Sequence, residues 1–305
     1  MAVKYFVKNI PYELKRDICS FINKKLNRRL SSAPFISGDS FRTLADFLFD
    51  ETHLCTAKEI NDFSLKQKPV VFLSSWLIEK FVKEILPEIK NSFVLITHQG
   101  DKNITNTEPY STLVKSKYLF HWFAQNCLYK NSKITPIPIG LEDRWRHNAG
   151  DIKDFKSKKL KNNKKETKIL FGFSLNTNPQ KRVPCYLALS GKKNTTEIYR
   201  SPNAHLYRKM LSQNKFVASP EGNGIDCHRT WEAIYLNVIP IVTKNYMTET
   251  FASMGLPLFL ISDWSEVSKL SENELNDIYQ TLWKTADLSY IQLDYWRIKI
   301  QMTCK

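Results

Sequence analysis

The chain has 305 residues, 42% hydrophobic and 12% aromatic, which is enough apolar material for about two domains and excludes disorder throughout. The formal charge of +15 belongs with nucleic acid, anionic lipid or phosphorylated small molecules as partners. No uncharged apolar run reaches the length of about 18 residues that a membrane span needs, and Met1–Lys25 mixes charges into its apolar positions, so the chain reads as soluble and cytoplasmic.

The N-terminal half alternates strand and helix. Val70-Val-Phe-Leu-Ser74 and Phe93-Val-Leu-Ile-Thr97 have the continuous apolar character of short buried strands, and the helix-like stretch Trp76–Leu86 separates them. Thr135-Pro-Ile-Pro-Ile-Gly140 follows, where two prolines exclude a central strand and leave an edge strand or an extended segment closing the first domain. The run Lys153–Lys168 is dense in lysine and lacks interleaved aromatics for base stacking, which argues against nucleic acid as a partner. It reads as a solvated linker, with a patch for an anionic membrane or polyanion as the alternative.

Beyond the linker, Lys168–Ser174, Phe216–Ser219, Val238–Thr243 and Pro257–Ile261 are expected strands. Ala204–Gln213 and Cys227–Leu236 are expected helices, and Ser271-Glu-Asn-Glu274 has the spacing of a capping box opening a helix towards Trp283. This alternation predicts an α/β protein with mostly parallel sheets, whose ligands sit beyond the carboxyl ends of the strands. Cys19, Cys55, Cys127, Cys185, Cys227 and Cys304 are widely scattered, without a Cys-x-x-Cys pair or zinc-ligand spacing, and read as reduced thiols.

The most informative stretch runs from Phe216 to Val242 and reads as strand, glycine turn, helix, strand. Gly222 and Gly224 let backbone approach a ligand, and the start of the following helix offers free N–H groups to phosphate. Helical spacing puts Trp231, Ile234 and Tyr235 on a core stripe and gathers His228, Arg229 and Glu232 on another side. Two readings remain open for that polar group. One is an Arg229–Glu232 ion pair on a solvated face; the other gives Arg229 to phosphate and Glu232 to ribose hydroxyls.

The string Ser219-Pro-Glu-Gly-Asn-Gly-Ile-Asp-Cys-His-Arg-Thr-Trp-Glu-Ala233, followed by Ile239-Pro-Ile-Val242, resembles the signature of exostosin-like glycosyltransferases of family 47 and their compact microbial and large-DNA-virus relatives. Weaker counterparts are Ser37–Asp46, Leu95–Asp101, Trp122–Asn126 and Ile137–Glu142, so the resemblance extends from about residue 35 to about residue 260. It implies a GT-B-like fold, two Rossmann-like domains facing each other across a cleft. The boundaries expected on this basis are an acceptor-side domain at 1–152, the basic linker at 153–167, and a nucleotide-sugar domain at 168–286. Residues 287–305 form a terminal helix that either crosses back to the first domain or packs on its own.

The activity implied is inverting, metal-independent transfer of a sugar from a nucleotide donor, UDP-linked, to a glycan hydroxyl, with a viral-type xylosyltransferase as one candidate. Neither cofactor nor metal is expected; the partners are the nucleotide sugar and the glycan acceptor, with peripheral membrane association as a further option. The donor residues implied are Ser219, Glu221, Gly222, Asn223, Gly224, Asp226, His228, Arg229 and Glu232. Ser174, Asn176 and Arg182, on the loop after the first strand of the donor domain, join them as phosphate or base contacts. Asp101, Asp39 and His98 are the candidate bases, since inversion needs a proton acceptor on the acceptor side. Arg42 is placed to orient an acidic acceptor or the diphosphate, and Trp145 to contact the acceptor.

Overall fold

Ten short strands build two five-stranded sheets among the described residues, and every pairing in both is parallel. The structure, a computed structural model, describes Leu14, Ile18, Phe21 and Ile22 and residues 29–63, 68–146, 148–200 and 202–305. Most of the segment 1–25, with Cys19, lies outside the described residues. The first sheet holds β1 (Phe47–Phe49), β2 (Val70–Ser74), β3 (Phe93–His98), β4 (Leu119–Ala124) and β5 (Ile134–Pro136), side by side in chain order. The second holds β6 (Glu166–Phe171), β7 (Thr195–Glu197), β8 (Asn214–Ala218), β9 (Ile239–Thr243) and β10 (Phe259–Ile261), in the order β10-β9-β8-β6-β7. These are two Rossmann-like sheets with a cleft between them, the GT-B-like arrangement.

Strand order decides how each sheet is covered. In the first sheet every step moves the same way, and right-handed crossovers therefore leave their helical segments on one face. Val71, Leu73, Leu95 and Trp122 point to that side and pack with Ile78, Phe81 and Leu113. The alternate residues Val70, Phe72, Val94, Ile96 and Phe123 point the other way, because side chains alternate along a strand, and need a different cover. The C-terminal helix Leu293–Cys304 supplies it. Trp296 lies edge-on to Phe41 at 5.9 Å, Leu293 N–H donates to Pro34 O at 2.9 Å, and Lys68 N–H donates to Cys304 O at 3.0 Å. The terminal helix thus crosses back onto the first sheet.

The second sheet reverses direction. β6 has β7 on one side and β8 on the other, so the loops leaving their carboxyl ends run to opposite faces. The helix Pro179–Leu189 buries Cys185 and Leu189 against Phe171 and Phe216; the helix His228–Tyr235 buries Trp231 and Ile234 on the other side with Leu170 and Val217. Such a switch point opens a crevice where the two loops part, which is where doubly wound sheets take ligands.

Several elements differ from the sequence expectation. β1 and β7 are three residues long, too short to announce themselves, and the edge strand is confined to Ile134–Pro136. Trp76–Leu86 is helical but changes winding, with a π-helical turn at Phe81–Ile85 between tighter ends. The basic run is not a solvated tether: it forms two short helices, Lys153–Lys156 and Lys158–Lys161, that bury Phe155 and Leu160 while most of their lysines stay outside. The described cysteines Cys55, Cys127, Cys185, Cys227 and Cys304 are all free thiols, and no helix among the described residues is long and apolar enough to cross a membrane.

Trp296 is fully enclosed, and its indole N–H donates to Tyr290 O at 2.9 Å. Trp296→Ala should cost about 3–5 kcal/mol of stability, read as a lower urea midpoint. A loss under about 1 kcal/mol would mean that the terminal helix is not a structural part of the first domain.

Candidate active site

The loops that part at the β6/β8 switch point enclose a cavity of about 800 Å³. Gly172, Phe173, Ser174 and Thr177 contribute one wall after β6, and Gly222, Asn223 and Gly224 the opposite wall after β8. Ile198, Tyr199, Pro202 and Tyr207 close one side. Tyr199 is 85% exposed, an aromatic face left open to solvent at the rim.

Two arginines reach into this space. Arg182 lies in the first turn of Pro179–Leu189, a helix started by proline at its first position rather than the loop expected there. Its Nε donates to Glu221 O at 3.1 Å and its Nη1 to Ser174 O at 2.8 Å, so backbone carbonyls hold the guanidinium. Arg229 donates Nη2 to Gly172 O at 3.4 Å and stands 5.4 Å from the Phe173 ring. Among the described residues neither guanidinium pairs with a carboxylate. Burial, and then the charge of Arg229, lower the pKa of Arg182 against a smaller opposing pull from Cys227, so the two cations repel each other. Arg229 Nη1 and Tyr207 Oη are buried within each other's reach, the guanidinium easing the burial of the phenol, and neither has a well-formed hydrogen bond among the described residues. Buried polar atoms are seldom left so, and a bound anion would satisfy both conditions.

Glu232 belongs to the same wall, and its partner is not Arg229. Its Oε1 accepts from Arg208 Nε and Nη2, both at 3.2 Å, while Oε2 keeps no hydrogen bond among the described residues. Arg208 is itself buried, donates Nη1 to Asp151 O at 2.7 Å and packs 4.5 Å from the Phe155 ring. Burial raises the pKa of Glu232 against the opposing pull of Arg208. The pairing reading of Arg229 with Glu232 is therefore replaced by an Arg208–Glu232 pair that no sequence spacing displays.

Three expected donor residues do not line the cavity. Ser219 is buried and shares a hydrogen bond of 2.9 Å with Thr230 Oγ1. The Glu221 side chain turns to Thr243 Oγ1 and Lys181 Nζ, at 3.4 and 3.6 Å, and offers the site only its backbone carbonyl. Asn176 is exposed on a turn of 3-10 helix, and the residue missed beside it is Asn178, whose Nδ2 donates to Gly222 O at 2.9 Å. Asp226 lines the cavity but is spent on structure. Its Oδ2 accepts from Ile139 N–H and its Oδ1 from Cys227 N–H, both at 2.8 Å, and both oxygens face Trp231 Nε1 at 2.9 and 3.0 Å.

The glycine loop is docked on the first domain. Asn126 Oδ1 accepts from Asp226 N–H at 3.0 Å, and a Cβ on Gly224 would lie 2.6 Å from Asn126 Nδ2, so only glycine fits that approach. Asn223 Nδ2 donates to Asp101 Oδ2 at 3.4 Å.

A second cavity of about 820 Å³ lies at the carboxyl ends of the first sheet. Its floor is a buried network centred on Gln99, at a positive φ of 62°. Gln99 Nε2 donates to Asp39 Oδ1 at 2.9 Å and to Asp143 Oδ2 at 2.7 Å, while Arg29 Nε donates to Asp39 Oδ1 at 2.8 Å. Asp39 does not project into the cleft as expected; it sits behind this floor, where Arg29 and Gln99 claim one oxygen. His98 backs the cavity but both ring nitrogens are taken: Nδ1 accepts from Gln99 N–H at 2.8 Å and Nε2 donates to Pro138 O at 3.2 Å. Burial drops its pKa to about 3, so the ring stays neutral and has no free lone pair to act as a base. Arg42 lies behind the wall, donating to Asp50 Oδ2 at 2.6 Å and Thr52 Oγ1 at 2.8 Å. Trp145 does line the cavity, with the Arg146 guanidinium 4.3 Å from its ring.

The two cavities share Asp101, Ile139 and His228 in their walls. His228 has Nδ1 at 2.8 Å from Gly140 O and Nε2 at 3.6 Å from Glu142 Oε1. Burial opposes a charge on this ring, but the Glu142 carboxylate and the Gly140 carbonyl outweigh it and raise the pKa, which favours an imidazolium at the junction. Asp101 is half-buried there, and its one side-chain hydrogen bond among the described residues comes from the Asn223 amide at 3.4 Å.

Asp143, a floor residue the sequence reading passed over, has its pKa pushed to about 6 by burial and then by the Asp39 charge. A carboxyl whose folded pKa exceeds its unfolded value of 3.8 binds more protons when folded, so its contribution is complete below about pH 4 and is lost as pH rises through about 6. Stability measured from pH 4 to 7 should therefore fall less steeply in Asp143→Asn than in the parent; equal slopes would show that Asp143 is ionised throughout.

No protein-family model matches the chain, and no curated protein matches it. Among solved structures, it is similar to the spinosyn rhamnosyltransferase SpnG at 12% identity, over 95% of this chain and 77% of that one, with a TM-score of 0.33.

Proposed function

We propose that the protein is a glycosyltransferase that moves a sugar from a UDP-linked donor to a hydroxyl of a glycan, with inversion and without a metal ion. The observation that carries the reading is the meeting, at Asp101, of a cationic cavity at a sheet switch point with a second, carboxylate-lined cavity on the facing domain. Arg182 and Arg229, joined by the N–H groups at the start of the His228–Tyr235 helix, suit a diphosphate whose charge grows as the sugar leaves. His228, whose pKa the Glu142 carboxylate and the Gly140 carbonyl raise, stands beside them at the junction. The free Glu232 oxygen suits ribose hydroxyls, and the open ring of Tyr199 suits a nucleobase.

In this reading the acceptor enters from the first domain with its hydroxyl beside Asp101. The carboxylate takes the proton as the oxygen attacks the anomeric carbon, and the bond to the diphosphate breaks on the opposite face. Asp39 and His98 then act as floor residues rather than bases. The resemblance of Ser219–Ala233 to exostosin-like enzymes supports the same class, and UDP-xylose is one donor to test.

The test is a panel of UDP, GDP and CMP and their sugar conjugates, with and without EDTA, read by thermal shift and by sugar transfer or release. UDP should stabilise the parent equally in EDTA. Arg229→Ala should weaken that binding by about tenfold or more. Asp101→Asn should keep UDP binding and lose about 10²–10⁴ in transfer rate. Absence of nucleotide binding by the parent would refute the reading, and binding without any turnover would leave a nucleotide-binding protein instead of an enzyme.

A further inference from the structure

The chain carries a large positive excess, yet the cavity on the first domain is acidic. Its wall presents Asp50, Glu51, Asp101, Glu142 and Asp143. The two arginines in the same wall are already engaged: Arg29 with Asp39 at 2.7 Å and Glu51 at 3.1 Å, Arg146 with Glu142 at 3.7 Å and with the Trp145 ring. The lysine nearest the cleft in sequence, Lys102, is turned outward to Glu79 at 2.9 Å. Trp76 stands on this wall 56% exposed, an indole held open to solvent on a turn of helix directly after β2.

Resting on the transferase reading above for the word acceptor, we propose that this cavity binds an uncharged or amine-bearing oligosaccharide and excludes acidic glycans. Carboxylates accept hydrogen bonds from sugar hydroxyls and ammonium groups, and an indole face covers the C–H face of a sugar ring. A uronate or sulfate placed here would face like charges, while Arg29, Arg146 and the shared wall residue His228, held by Gly140 O at 2.8 Å and Glu142 at 3.6 Å, are already committed to partners in the wall. Arg42, which the sequence reading offered to an acidic acceptor, is committed to Asp50 and Thr52 behind the wall. The protein therefore keeps its two charge preferences apart, anions in the cavity of the second domain and neutral or cationic sugars in that of the first.

The experiment is titration calorimetry of the whole chain at low salt with three matched trimers: of glucose, glucosamine and galacturonic acid, each with and without saturating UDP. The glucose and glucosamine trimers should bind, and the galacturonate trimer at least about tenfold more weakly, with the gap narrowing as salt is added. Trp76→Ala, an exposed change that leaves the fold intact, should weaken the first two by several-fold. Equal or tighter binding of the galacturonate trimer, or binding of none of the three, overturns the proposal. UDP titrated alone separates the two claims, because loss of UDP binding with the trimer order intact sinks the transferase reading and spares the cavity's charge preference.

Discussion

The structure hinges on one buried carboxylate. Asp226 accepts a backbone N–H from Ile139 of the first domain, a backbone N–H from Cys227, and the indole N–H of Trp231 in the second. Trp231 in turn fills the second core against Phe251 at 5.3 Å. A single side chain thereby joins a sheet edge, a glycine loop and a helix start across the domain boundary. With those three fixed, the loop Gly222–Gly224 can lie only on Asn126, and His228 and Arg229 enter the two cavities from a rigid helix. Removing the carboxylate would strand three buried donors, which is why its burial is tolerated.

Sheet topology explains why two different cavities lie next to each other. The reversal between β6 and β8 parts two loops and leaves helix N–H groups and arginines around a hole. The first sheet has no reversal, and its strand ends converge instead on a hydrogen-bonded floor of Gln99, Asp39 and Asp143. One sheet gives a cationic crevice and the other an acidic basin. The shared wall at Asp101, Ile139 and His228 brings the two basins into contact.

Much of this was legible in the residues. The stretches Val70–Leu73, Phe93–Ile96, Phe216–Ala218 and Ile239–Val242 of β2, β3, β8 and β9 are buried on both faces, so they are apolar and stand out without any alternation. The glycine loop is readable because its close approach to Asn126 favours glycine at Gly224. What stayed hidden depends on distance along the chain. Arg208 and Glu232 meet across 24 residues, and Gln99 and Asp143 across 44, so neither pair has a local pattern. Arg182 lies in the helix Pro179–Leu189 and not on the loop expected after β6, because Pro179 opens that helix only three residues before it. Lysine density in 153–168 concealed Phe155 and Leu160, the residues that fold that segment. Glu221 and Ser219 matched a string but point away from the cavity, and a string cannot report direction.

The most direct measurement is hydrogen–deuterium exchange of the whole protein with and without saturating UDP. Protection confined to residues 172–182 and 198–232, the loops and helix starts around Arg182 and Arg229, is the predicted result. Protection centred instead on the first-domain cavity, or no change anywhere, would contradict the assignment of the β6/β8 crevice as the nucleotide site.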